Sequence, residues 1–97
     1  MENSNNKEDF GTMPIGSVFD IPTGCVVVGQ ITEGRFSVED RVAVFNENEK
    51  IIETDIMAME IGFMQKCETA YTGQSPSIQL RDVNKNSVLP GYILKRI

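Results

Sequence analysis

Histidine is missing from the chain altogether, and cysteine occurs only at positions 25 and 67. Without histidine the usual proton shuttle of neutral pH and the commonest zinc ligand are gone, which excludes Ser-His and Cys-His nucleophilic catalysis. Cys25 and Cys67 lie far outside CxxC spacing and follow no apolar leader, so they read as reduced thiols of a cytoplasmic protein rather than as a disulfide. An excess of positive charge is lacking too. Nine Lys and Arg stand against fourteen Asp and Glu, a formal net charge of -5. A surface of that sign excludes nonspecific polyanion binding over the whole molecule and leaves RNA only a local basic patch. Long apolar runs are also absent: IMAMEIGFM, residues 56–64, is interrupted by Glu60 and falls short of the roughly 20 residues that span a bilayer, so no membrane role is expected.

What is present fits one domain with one core, since 97 residues suffice for that and not for two. Residues 1–12, MENSNNKEDFGT, are polar and without apolar period, which predicts a disordered tail ahead of a folded domain at 13–97. Ser4 and Lys7 in that tail match Ser-x-x-Lys, but a nucleophile needs a pocket and nothing around them forms one. From Met13 onward, short strand-like runs alternate with turn residues at the spacing of an all-β protein. They are Ile15 to Ile21, Cys25 to Thr32, Arg41 to Phe45, Ile51 to about Ile61, Ser77 to Leu80 and Tyr92 to Lys95. No amphipathic helix is evident, although Glu60 to Cys67 has room for a turn or two. In the long run both the even set (Ile52, Thr54, Ile56, Ala58) and the later odd set (Met57, Met59) are suited to burial, so this strand is expected to be covered first on one face and then on both.

Three glycines, Gly24, Gly29 and Gly34, punctuate the second run. Gly24-x-x-x-x-Gly29 begins like a phosphate-binding loop, but Gln30-Ile31 stands where Lys and Ser/Thr must reach phosphate and magnesium, and Arg35-Phe36 fails in the same way after Gly34. Hairpin punctuation explains each glycine instead. Gly24 ends a proline-containing turn, Gly34 sits in TEGR as the positive-φ residue of a hairpin loop, and Gly29 inside a strand marks a bulge, a bend or a close backbone approach.

The motifs Val18-Phe19-x-Ile21, Gly24-x-Val26-Val27-x-Gly29-x-Ile31-x-x-Gly34-x-x-x-Val38-x-x-x-Val42, Ala70-x-x-Gly73, Ile78-x-Leu80 and Val88-x-x-Gly91-x-Ile93-Leu94 follow one another from Met13 to Ile97 without large gaps. In this order they resemble the second domain of the translational GTPases, the β-barrel that follows the nucleotide-binding domain in elongation factor Tu. The resemblance implies a closed antiparallel barrel of six or seven strands. It also implies a binding module that contacts the ribosome, tRNA or a GTPase partner. The acidic pair that precedes Val-Phe in elongation factor Tu is here Gly16 and Ser17, Val28 replaces a threonine, and Gln30 stands where basic residues are common. Phe19 is retained. With no GTPase domain, the chain alone is expected neither to bind nor to hydrolyse GTP, and no cofactor is called for.

Two clusters remain. Charge is uneven: residues 47–55 carry Glu47, Glu49, Glu53 and Asp55 against Lys50, whereas residues 81–97 carry Arg81, Lys85, Lys95 and Arg96 against Asp82. Brought together, those four cations would form the local patch that meets RNA or the ribosome; dispersed, they are a solvated rim. Met57, Met59, Phe63 and Met64 form either an adaptable protein-binding surface or the filling of a core beneath a loop. Phe19 is likewise a stacking platform or a core residue. Candidate binding residues are therefore Phe19, Met57, Met64, Arg81, Lys85, Lys95 and Arg96. No catalytic residue and no metal ligand is proposed, because no nucleophile has a recognisable base and no calcium-type loop occurs. The function expected is a non-catalytic binding module, with a protein-protein adaptor unrelated to translation as the alternative.

Overall fold

A computed structural model describes residues 10–97. Ten strands follow one another: β1 (Gly11–Pro14), β2 (Ser17–Ile21), β3 (Gly24–Val28), β4 (Glu33–Ser37), β5 (Arg41–Asn46), β6 (Glu49–Ile61), β7 (Gln65–Lys66), β8 (Thr69–Tyr71), β9 (Ser77–Arg81) and β10 (Ile93–Arg96). The only helical element among the described residues is a 3-10 turn at Lys85–Ser87, capped by the Asn84 side chain. The all-β expectation therefore holds. Residues 1–9 of the polar N-terminal segment, including Ser4 and Lys7, lie outside the described residues. Gly11 and Thr12 are already in β1, so the ordered fold starts ahead of Met13.

Every pairing is antiparallel, in the order β2-β3-β9-β6-β5-β10-β1-β4-β8, with β7 added to the end of β6. This corrects the expected closed barrel of six or seven strands: the sheet is an open half-barrel of nine to ten strands. At Ile15-Gly16 the chain leaves one ladder and enters another. The Ile15 N–H donates to the Tyr92 carbonyl at 2.8 Å and the Gly16 N–H to the Val28 carbonyl at 2.7 Å. The run expected from Ile15 to Ile21 is thus a strand only from Ser17 on, as β2, held by β3 alone, and a further strand, β1, held between β10 and β4, precedes it. At the far end, the three residues of β8 pair with β4. The sheet curls strongly, but no ladder joins β2 to β8.

The curl encloses one core. Cys25 and Val27 point inward from β3, Ile78 and Leu80 from β9, Val42 and Val44 from β5, Ile56 and Met59 from β6, and Leu94 from β10, around a fully buried Phe36. On β6 the switch from even to odd inward positions has a simple cause. Ile56 faces Leu80 but Ala58 faces Gln79, so Met57 is the extra residue of a β-bulge and the inward face changes parity there. The double coverage expected for this strand is in fact a change of register.

The glycines divide between two explanations. A Cβ on Gly29 would lie 2.1 Å from the Pro14 carbonyl oxygen, so the backbone approach anticipated at that position is present. Gly34, in contrast, is not in a hairpin loop. It lies within β4, opposite Gly11, with φ +69, and the strands on either side of residues 29–32 do not pair with each other. Glu60 to Cys67 is a tight hairpin from β6 to β7 with Ile61 opposite Gln65, where a turn of helix had room to form.

Candidate functional site

Alternation along the strands decides which candidate side chains reach solvent. On β2 Phe19 points outward and is 57% exposed, so a residue more readily taken as core is a surface aromatic. Its neighbours Val18 and Ile21 are half-buried instead. The methionine group splits three ways. Met59 is in the core, Met57 is half-buried at the bulge, and Met64 sits beside Phe63 at the tip of the β6–β7 hairpin, 73% and 88% exposed. Met64 holds φ +59, a backbone region that favours glycine or asparagine.

The four cations are not brought together. Arg81 ends β9 and Lys85 lies in the 3-10 turn, while Lys95 and Arg96 are on β10, and β6 and β5 stand between β9 and β10. Their partners differ too. Arg81 Nε approaches Asp55 Oδ2 at 3.7 Å, Arg96 Nε meets Asp40 Oδ2 at 2.9 Å, and the Lys95 ammonium lies 5.4 Å from the centre of the Phe45 ring. The acidic stretch is tied into the same outer face. Arg41 reaches Asp55 Oδ1 at 3.0 Å and Glu53 Oε1 at 3.5 Å, and Lys50 also pairs with Glu53. The Lys50 ammonium, with help from Arg41, holds the Glu53 carboxyl below its ordinary range, and the hydrogen bond to Asp55 holds Arg41 above its own. A belt of alternating charge across β5, β6 and β9 is the result.

Among the described residues, open grooves border the sheet. One, of about 540 Å³, lies at the Pro22–Thr23 turn between Asp20 and Thr23 on one side and Asp82 and Asn84 on the other. Its carboxylates, hydroxyl and amide offer hydrogen bonds of both polarities. Another, of about 300 Å³, lies under the hairpin and is lined by Val38, Met57, Met59, Lys66, Cys67 and Glu68. Both cysteines are free. Burial, and after it Asp20, pushes the Cys25 thiol up to about 11; burial and then Glu68 raise Cys67. Both are therefore protonated at neutral pH and poor nucleophiles. Among the described residues, no group of three or more His, Cys, Asp or Glu is placed to hold a metal, and no helix is long and apolar enough to cross a membrane.

Among the described residues, the exposed apolar Phe10, Tyr71, Leu89 and Ile97 had no place among the candidates. Tyr71 follows the buried Ala70 on β8, so period-two alternation was the signal that could have marked it as outward. For Phe10 and Ile97 the signal was missing, because each takes its face from a neighbouring strand.

The sheet curled about one core has the fold of a translation-factor β domain. The solved structures that share it include translation elongation factor SelB from Methanococcus maripaludis, in the apo form and in complex with the GTP analogue GppNHp. Each is 25% identical to this chain with a TM-score of 0.81, over 94% of this chain and 20% of the factor. The chain thus spans about a fifth of the length of those proteins. No family model matches the sequence.

Proposed function

We propose that the chain is a non-catalytic, cytoplasmic binding module of the translation-factor type that docks on a component of the translation apparatus: the ribosome, tRNA or a GTPase partner. The observation that carries this reading is the agreement with SelB over 94% of the chain at a TM-score of 0.81. GTP binding by the chain alone forms no part of the proposal, because Gln30-Ile31 stands where a phosphate loop needs Lys and Ser/Thr. Co-sedimentation of the purified protein with ribosomes tests it. A contact carried by phosphates weakens steeply between about 50 and about 200 mM salt, whereas a protein contact persists. Failure to travel with ribosomes at either salt, together with no retention of tRNA, would remove the translation-related reading.

A second reading, a protein-protein adaptor without a role in translation, is favoured by one specific feature. Phe63 and Met64 present an apolar hairpin tip at which Met64 holds a backbone conformation unfavourable to it. Conformational strain kept at an exposed position is a pointer to function. On this reading, salt-resistant capture of a defined protein partner is lost with Phe63→Ser. A variant that captures the partner as well as the parent chain would discard the tip as the anchor.

A further inference from the structure

Three of the exposed apolar residues fall on one line across the outer face. In the β4–β8 ladder Arg35 stands opposite Tyr71, and both point outward because Phe36 and Ala70, the next pair, are buried. On the other side of Arg35, its N–H donates to the Phe10 carbonyl at 2.8 Å. Continuing the β1–β10 register, in which Thr12 faces Lys95, sets Ile97 beside Phe10. The outer face therefore carries the row Tyr71, Arg35, Phe10, Ile97, with Tyr71 and Phe10 54% and 48% exposed. Strands are about 4.8 Å apart, so the two rings stand about 10 Å from each other on either side of a guanidinium.

We propose that this row binds single-stranded RNA, with one unstacked base on Tyr71, one on Phe10, and the intervening phosphate on Arg35. Exposed aromatic side chains on a sheet, with a cation between them, are what unstacked bases and their phosphates require. The row is one residue wide. A folded protein partner needs about 800 Å² per side, far more than such a strip offers, whereas a single strand fits along it. Lys95, one row away on the same face, supplies a second cation, and Glu33, two residues before Arg35 on β4, sets an acidic limit on that side. The choice of RNA over DNA rests on the translation-factor reading above; the row itself does not.

The test is fluorescence anisotropy of labelled ten-nucleotide oligouridine and oligothymidine with the full chain at low salt. Stacking on one aromatic is expected to carry about tenfold in affinity, so Tyr71→Leu and Phe10→Leu each weaken oligouridine binding by about that factor while Tyr71→Phe keeps it. Two phosphate contacts predict a loss of only about sevenfold between about 50 and about 200 mM salt. Removing the acidic limit with Glu33→Gln tightens binding, and Leu89→Ala, away from the row, leaves it unchanged. Matching circular dichroism melts keep misfolding apart from lost stacking. No binding of oligouridine at low salt, or equal binding by the parent and both leucine variants, overturns the row. Equal binding of oligothymidine overturns the choice of RNA. Ribosome co-sedimentation that survives while oligouridine fails to bind sinks this inference alone and leaves the module reading standing.

Discussion

Met59 stands opposite Ile78 inside the core because Met57, two residues earlier on the same strand, has no counterpart on β9. One unpaired residue thus decides which face of the second half of β6 is buried. Deleting Met57 removes the bulge and leaves Ile56 opposite Leu80, Ala58 opposite Gln79 and Met59 opposite Ile78, so the core is kept and a change of about 1 kcal/mol or less is expected. Met59→Ala empties the inward position itself and should cost about 3 kcal/mol. Urea unfolding of the two variants measures the difference. A loss on deleting Met57 as large as that of Met59→Ala would mean that the bulge does more than set the register.

Gly29 and Gly62 offer a second contrast. At Gly29 an added Cβ would meet the Pro14 carbonyl oxygen at 2.1 Å, and that atom belongs to backbone that cannot swing aside. At Gly62 nothing lies within 4 Å, but φ is +67. Gly29→Ala is therefore expected to cost about 3 kcal/mol or more through forced separation of β1 from the end of β3. Gly62→Ala should cost only the left-handed penalty of about 1 kcal/mol. Thermal melts that ranked Gly62→Ala as the more damaging would contradict the contact geometry.

Much of this architecture was legible in the sequence, and the parts that were not share a cause. Turns such as Pro22-Thr23 and Glu47-Asn48 carry local chemistry, so the strands around them could be placed from composition. Ladder order is not local. Nothing within Glu33 to Ser37 says that it pairs with Gly11 and Thr12 on one side and residues 69–71 on the other, so Gly34 was read as a loop glycine and the ladder as closed. Site residues meet the same obstacle. Whether Met64 faces solvent or core stayed open because nothing in Gly62-Phe63-Met64-Gln65 says that a hairpin tip lifts it out, and the row through Tyr71, Arg35 and Phe10 exists only where segments distant in sequence lie side by side. The four cations failed to converge for that reason too, since β6 and β5 separate β9 from β10.

Arg96 illustrates a cation whose work is internal. Its Nε meets Asp40 Oδ2 at 2.9 Å with both side chains 19% exposed, and the same oxygen accepts the Ser37 N–H at 2.7 Å. The pair thereby ties β10 to the turn between β4 and β5. Arg96→Ala leaves a half-buried carboxylate with one partner fewer and is expected to lower stability by about 1–2 kcal/mol. Removing the exposed contacts of Asp55 with Arg41 and Arg81 by Asp55→Ala should change it by less than about 1 kcal/mol. Equal effects in chemical denaturation would show that the Asp40 contact is no stronger than a surface pair.

Cys25 sets a limit on stability at alkaline pH. Its thiol is fully buried on β3, and burial, reinforced by Asp20, moves its pKa from 9.0 in the unfolded chain up to about 11 in the fold. Between those values the unfolded state has released the proton while the folded state retains it. The unfolded state then binds fewer protons, and stability falls as pH rises. The contribution is fully present below pH 9 and lost by about pH 11. Allowing for residual solvent screening, the loss amounts to no more than about 1–2 kcal/mol. Cys25→Ala removes the titrating group, so its stability, lower at neutral pH because of the smaller side chain, should stay flatter across this window than that of the parent chain. Parallel pH profiles for the two proteins would show that the alkaline loss comes from another group.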